Sequence, residues 1–99
     1  MQSYSLPSNS YISLTLGASG STYTAPADGY FYVKGGASSG TRAVEIHCNG
    51  MSVSGTSVSG IRNANIIMPV KQGNTVSIPY SIDVDKGLRF IYATGSQPA

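Results

Sequence analysis

Few residues in this chain could perform chemistry. One histidine, His47, and four carboxylates, Asp28, Glu45, Asp83 and Asp85, make up its acid–base groups. Glu45 and His47 are two apart in an alternating stretch, which puts them on one face of a strand. Together they offer one imidazole and one carboxylate per chain, which could hold a metal only where several copies meet on an axis, and an isolated surface histidine is the far commoner arrangement. A serine nucleophile would have to use His47 as its base, and no Gly-x-Ser-x-Gly nucleophile elbow is expected to present it. A hydrolytic pair of carboxylates would need two of the four acids on either side of a scissile bond. Asp28 is accounted for by a turn, and Asp83 and Asp85 share another. The spacing Asp83-x-Asp85 is half of a calcium loop, without its further oxygen ligands. No catalytic residue, metal or cofactor is therefore expected.

The elements around these groups read as strands. Residues 11–16 alternate, with Ile12, Leu14 and Leu16 on one side. Residues 41–49 alternate again, with Val44, Ile46 and Cys48 opposite Ala43, Glu45 and His47. Asn49-Gly50 is a two-residue hairpin signal that returns the chain through residues 51–54. No stretch has a helical period of 3.6 residues. Short strands at spacings of roughly eight to twelve residues indicate a β-sandwich of about eight strands.

Three stretches depart from one-sided alternation. Tyr30-Phe31-Tyr32-Val33, Ile66-Ile67-Met68 and Phe90-Ile91-Tyr92 are apolar at every position, so both faces of those strands need cover. A chain of 99 residues has little to spare for a second core. Tyr30, Tyr32, Ile67 and Ile91 are thus expected to contact another copy of the chain. Parity adds a constraint: if Val70 faces Val76, then Met68 faces Ile78 and Ile66 faces Tyr80. Either an odd-length hairpin connection or a crossing between two sheets satisfies this. Pro69 and Pro79 fall on the opposite parity and belong at edges, bulges or strand ends.

Charged residues are only 10% of the chain, against about 25% in an ordinary domain. Its net charge of +2 is too small and too scattered for a nucleic-acid surface. With one cysteine, Cys48, no intrachain disulfide can form, and its alternating surroundings suggest a small buried hydrophobe. No basic region followed by an apolar run opens the sequence, and no apolar run approaches the ~20 residues of a membrane span. Neither a secretory leader nor membrane insertion is expected.

The segment Tyr23-Thr24-Ala25-Pro26-Ala27-Asp28-Gly29-Tyr30-Phe31 reads as strand end, tight turn, strand. Pro26 presets φ, Asp28 bonds its own downstream backbone, and Gly29 supplies a positive φ. The segment resembles the apolar–Ala-Pro-Ala-Asp-Gly–aromatic stretch of jelly-roll heads at the tips of bacteriophage tail fibres. Those heads are similar to the globular heads of the complement and tumour-necrosis-factor families. Residues 66–76 and 88–92 fit the same pattern. The resemblance implies a jelly-roll topology, a homotrimer, and a virion component that is extracellular after host lysis. Residues 1–10, polar with Pro7, would be an arm on the shaft side, and residues 11–99 the head. Fibres of this kind can hold metal on their axis through His-x-His; here Glu45-Ile46-His47 stands instead.

The partner implied is a host-surface glycan or protein. Strand tyrosines are assigned to core or interface, which leaves Arg62, Asn63 and Asn65, with Ser38 and Ser39, as the candidate ligand-binding residues; an equal reading has Asn63 and Asn65 serving a turn. Arginine and asparagine offer fixed donors and acceptors to sugar hydroxyls and acidic groups. Two other functions remain open: a structural trimerisation knob or capsid decoration without a specific ligand, and a bacterial carbohydrate-binding module.

Overall fold

Alternating burial along the chain resolves it into eight strands, with Pro7–Leu14 as β1, Ser21–Thr24 as β2, Gly29–Gly36 as β3 and Thr41–Cys48 as β4. Met51–Val58 is β5, Ala64–Val70 β6, Thr75–Ile78 β7 and Val84–Ala93 β8. The computed structural model describes residues 7–93. Two four-stranded antiparallel sheets form, in the orders β1-β8-β3-β6 and β2-β7-β4-β5. The pairs β1–β8, β2–β7, β3–β6 and β4–β5 are those of a long hairpin rolled into two sheets, which is a jelly roll. The expected all-β sandwich of about eight strands is what the chain adopts. Among the described residues, no helix is long and apolar enough to cross a membrane.

The core lies between the sheets. Phe31, Val33, Val44, Ile46, Val76, Ile78 and Phe90 are fully buried there. Phe31 and Phe90 are register partners on adjacent strands and meet edge to face, centroids 5.2 Å apart at 72°. Tyr92 continues the row, its ring 5.2 Å from that of Phe90 at 81°. Cys48 is buried as a free thiol. Ser57 is the exception to an apolar interior, and its Oγ donates to the Arg62 carbonyl at 2.8 Å.

The Asn49-Gly50 hairpin forms as expected, with φ of 51° and 81°, the positive pair of a type I′ turn. The parity at Val70 resolves as a crossing between sheets, since β6 and β7 belong to different ones. Asn74 N–H donates to the Lys71 carbonyl, and Gly73, at φ 88°, supplies the conformation a type II turn requires. Pro69 lies on β6, an edge strand, where its missing donor leaves no gap in the sheet.

Four expectations need correction. Asp28 does not close its own turn: its Oδ1 accepts from Gln72 N–H at 2.9 Å, so it ties the β2–β3 connection to the β6–β7 turn. Gly29 is not among the residues of positive φ; close packing against β8 is what excludes a side chain there. Residues 7–10, read as part of an arm, belong to β1, while residues 1–6 lie outside the described residues. Strands β5 and β8 extend further than alternation suggested, through Gly55 and from Val84, because neighbouring strands supply their pairing.

Candidate functional site

Four connections lie at one end of the sandwich: residues 37–40 after β3, 59–63 after β5, 79–83 after β7 and 15–20 after β1. The opposite end carries the first described residue, Pro7, in register with Ala93. The loop end is organised by Asp83. Its Oδ1 accepts from Ser38 N–H at 2.9 Å and its Oδ2 from Ser38 Oγ at 2.5 Å, while its own N–H donates to Gly36 O. Arg42 Nε lies 3.7 Å from Asp83 Oδ1, an ion pair beyond hydrogen-bond length. The Ser38 hydroxyl, then the Ser38 amide, lower the Asp83 pKa below the usual aspartate value, with a further contribution from Arg42. Ser59 N–H donates to Gly40 O, which joins the second loop to the first.

Of the candidate ligand residues, Ser38, Ser39, Arg62 and Asn63 reach this end and are exposed. Asn63 packs against the first loop, its Oδ1 2.8 Å from the point a Gly36 Cβ would occupy. Arg62 leans back along β5: Nη2 donates to Thr56 Oγ1 at 2.8 Å, and Nε to Thr56 O at 3.4 Å. Backbone bonds from Val58 N–H to Arg62 O and from Arg62 N–H to Val58 O hold the loop independently of that side chain. Asn65 does not join them. It lies within β6 and accepts from the Tyr32 hydroxyl at 2.7 Å. Strand alternation sends it to the outer face of its sheet, away from the loops.

That outer face is the second feature. Tyr11, Ile91, Tyr30 and Pro69 form one row across β1-β8-β3-β6, and Ser13, Arg89, Tyr32 and Ile67 form the next. Tyr11 is 51% exposed and Ile67 42%, while Tyr30, Tyr32 and Ile91 are half-buried. Arg89 covers the Tyr11 ring, its guanidinium carbon 4.7 Å from the centroid. The four residues expected at an interface thus share one face. The other sheet is polar outside, where Thr22, Thr24, Ser52, Ser54, Thr56, Thr75 and Ser77 surround Glu45 and His47. His47 Nε2 and Glu45 Oε1 pair there at 2.5 Å.

Asp83 as organiser of the loops was not visible from sequence, because its partner Ser38 is 45 positions away. Contrary to the expectation that none is present, residues 36–40, Gly-Ala-Ser-Ser-Gly, do have the Gly-x-Ser-x-Gly spacing of a nucleophile elbow. The context an elbow needs is a strand-to-helix turn; this segment joins two strands, and the Ser38 hydroxyl donates to Asp83. His47 stands about 20 Å along β4 from that end. Among the described residues, no group of three or more His, Cys, Asp or Glu could hold a metal ion.

No protein-family model matches the sequence, and no curated protein matches it either.

Proposed function

We propose that the chain is the head domain of a bacteriophage tail fibre or tail appendage, a homotrimer that attaches the virion to a host-surface glycan or protein. The observation that carries this reading is the sheet whose outer face is also largely apolar, interrupted by Ser13, Arg89 and Asn65. One face builds the core; the other presents Tyr11, Tyr30, Tyr32, Ile67, Pro69 and Ile91 to solvent in a single chain. Contacts between obligate copies are rich in such residues. The Ala-Pro-Ala-Asp-Gly resemblance supplies the phage assignment and the number three.

The ligand surface in this reading is the loop end, through Ser38, Ser39, Arg62 and Asn63. It lies at the far end from Pro7 and Ala93, so it stays clear of whatever adjoins the paired ends of β1 and β8. Three weak sites would act together by avidity. Light scattering of the purified chain at micromolar concentration is the test. A trimer supports the proposal and a monomer overturns it.

One observation favours a second reading, a structural knob without a ligand. The Arg62 guanidinium and the Ser38 hydroxyl are already bonded within the chain. A glycan array probed with the trimer separates the two.

A further inference from the structure

The end of the sandwich opposite the loops carries an open groove of about 640 Å³, lined by Asp28, Tyr30, Asn49, Pro69, Lys71 and Asn74. Its size falls in the ~300–1,000 Å³ range of small-molecule sites. Its frame is tied together across elements. Ala25 N–H donates to Asn74 O, Gly73 N–H to Ala25 O and Gln72 N–H to Asp28 Oδ1. Ala93 N–H donates to Asp28 O and anchors the end of β8 to the same connection. Asn49 is held at φ 51° in its type I′ turn, so its side chain projects from a fixed backbone. These bonds form the groove before any ligand arrives.

Several polar groups at the groove remain free. Among the described residues, the Lys71 ammonium, the Asn49 amide and the Tyr30 hydroxyl make no hydrogen bond or ion pair, and Asp28 uses one carboxylate oxygen of two. Turn chemistry accounts for an Asn at 49 and at 74, but not for the concavity between them.

We infer that this groove is a binding site for a neutral saccharide unit. A sugar offers hydroxyls that both donate and accept, together with an apolar C–H face. The Asp28 carboxylate is an acceptor for two such hydroxyls, the Asn49 amide offers both roles, and Lys71 donates. Tyr30 and Pro69 supply apolar surface for the C–H face. One carboxylate and one ammonium cancel, which disfavours a phosphate or a polyanion. The residues of the site come from a single chain and not from the loop end; Tyr30 and Pro69 also lie on the face proposed to meet other copies, so that contact must leave the groove end of β3 and β6 open.

The test is a titration of the isotope-labelled full chain with the methyl glycosides of glucose, galactose, mannose and N-acetylglucosamine, followed by amide NMR. At least one glycoside should move the Asn49, Lys71 and Asn74 signals saturably. Asn49→Gly keeps the positive φ and removes the amide; Lys71→Ala removes an exposed ammonium. Each should weaken binding by roughly threefold to tenfold with the melting temperature unchanged. Groove signals that stay still with all four glycosides overturn the inference, as does binding that both variants leave unaltered. Signals moved by inorganic phosphate and by no glycoside also overturn it. Glycoside shifts confined to residues 37–40 and 59–63 would overturn it while supporting the loop-end reading.

Discussion

Gly29 lies so close to Ile91 that a Cβ at Gly29 would stand 2.2 Å from the Ile91 carbonyl oxygen, and 2.7 Å from a ring carbon of Phe90. The Phe90 ring occupies the space that a side chain at position 29 would take. Its partner is backbone, which cannot rotate away. Gly29→Ala must therefore push β3 from β8 at the centre of the first sheet. Overpacking costs about 1–3 kcal/mol where side chains can adjust, and here the upper end or beyond is expected. Urea unfolding should show a lower midpoint with an unchanged slope. Gly20→Ala is the contrast: nothing lies within 4 Å of its Cβ, and only its φ of 89° opposes the change.

The Ser38–Asp83 contact makes the loop end sensitive to acid. Hydrogen bonds from Ser38 hold the Asp83 pKa below its usual value in the folded chain. A carboxyl with a lowered folded pKa contributes stability that is complete above the unfolded value, roughly pH 4, and is lost as pH falls through the lower folded one. Residues 37–40 should loosen in that acidic window and stay unchanged from pH 5 to 8. The Ser38 amide signal should titrate with Asp83, and Asp83→Asn should abolish that titration while the core signals hold still. A Ser38 signal that titrates unchanged in Asp83→Asn would assign the transition to another group.

Local rules reached the strands and one turn, because their causes are local. The period of two placed Val44, Ile46 and Cys48 inside, and Asn49-Gly50 named its own turn type. The doubly apolar runs at 30–33, 66–68 and 90–92 predicted two covered faces, and the rows they form share one sheet. What was not legible depended on partners distant in sequence. Asp28 bonds Gln72, 44 positions on, where a self-closing turn was the nearest explanation. Gly55 reads as a loop residue, yet a Cβ there would meet Ile66 Cγ2 at 2.7 Å, so the facing sheet requires a glycine inside β5. Arg62 and Asn65 are three apart in sequence but separate in space, because β6 begins at Ala64 and alternation directs Asn65 to the outer face.

Ile67 tests the proposed contact between copies with little disturbance of the single chain. It is 42% exposed on an edge strand, so an aspartate there stays hydrated while the chain is alone. Buried between copies, the same charge would cost several kcal/mol, on the order of 3–5. Ile67→Asp should thus convert the assembly into folded monomers, detected by light scattering with the circular dichroism spectrum retained. Ile66→Asp, one residue away but facing the core, should unfold the chain. If Ile67→Asp leaves the assembly intact, the copies meet on another face.

Arg62 separates a ligand-binding loop from a purely structural one. Backbone bonds between Val58 and Arg62, with the Ser57 hydroxyl on the Arg62 carbonyl, hold residues 59–63 without the guanidinium. Arg62→Ala with Asn63→Ala should therefore leave the melting temperature nearly unchanged. If Arg62 binds a glycan, the double variant should lose adsorption to host cells by roughly tenfold or more per site, as expected for a charged hydrogen-bond partner. Thr56→Val is the complementary change, since it removes the hydroxyl that engages Arg62 Nη2 at 2.8 Å and leaves the arginine in place. Freed from that bond, Arg62 should bind at least as well as before if its target is external. Undiminished adsorption by a folded Arg62→Ala, Asn63→Ala variant would remove the loop end from host recognition. A melting temperature lowered equally by Arg62→Ala and Thr56→Val would assign the guanidinium to bracing β5.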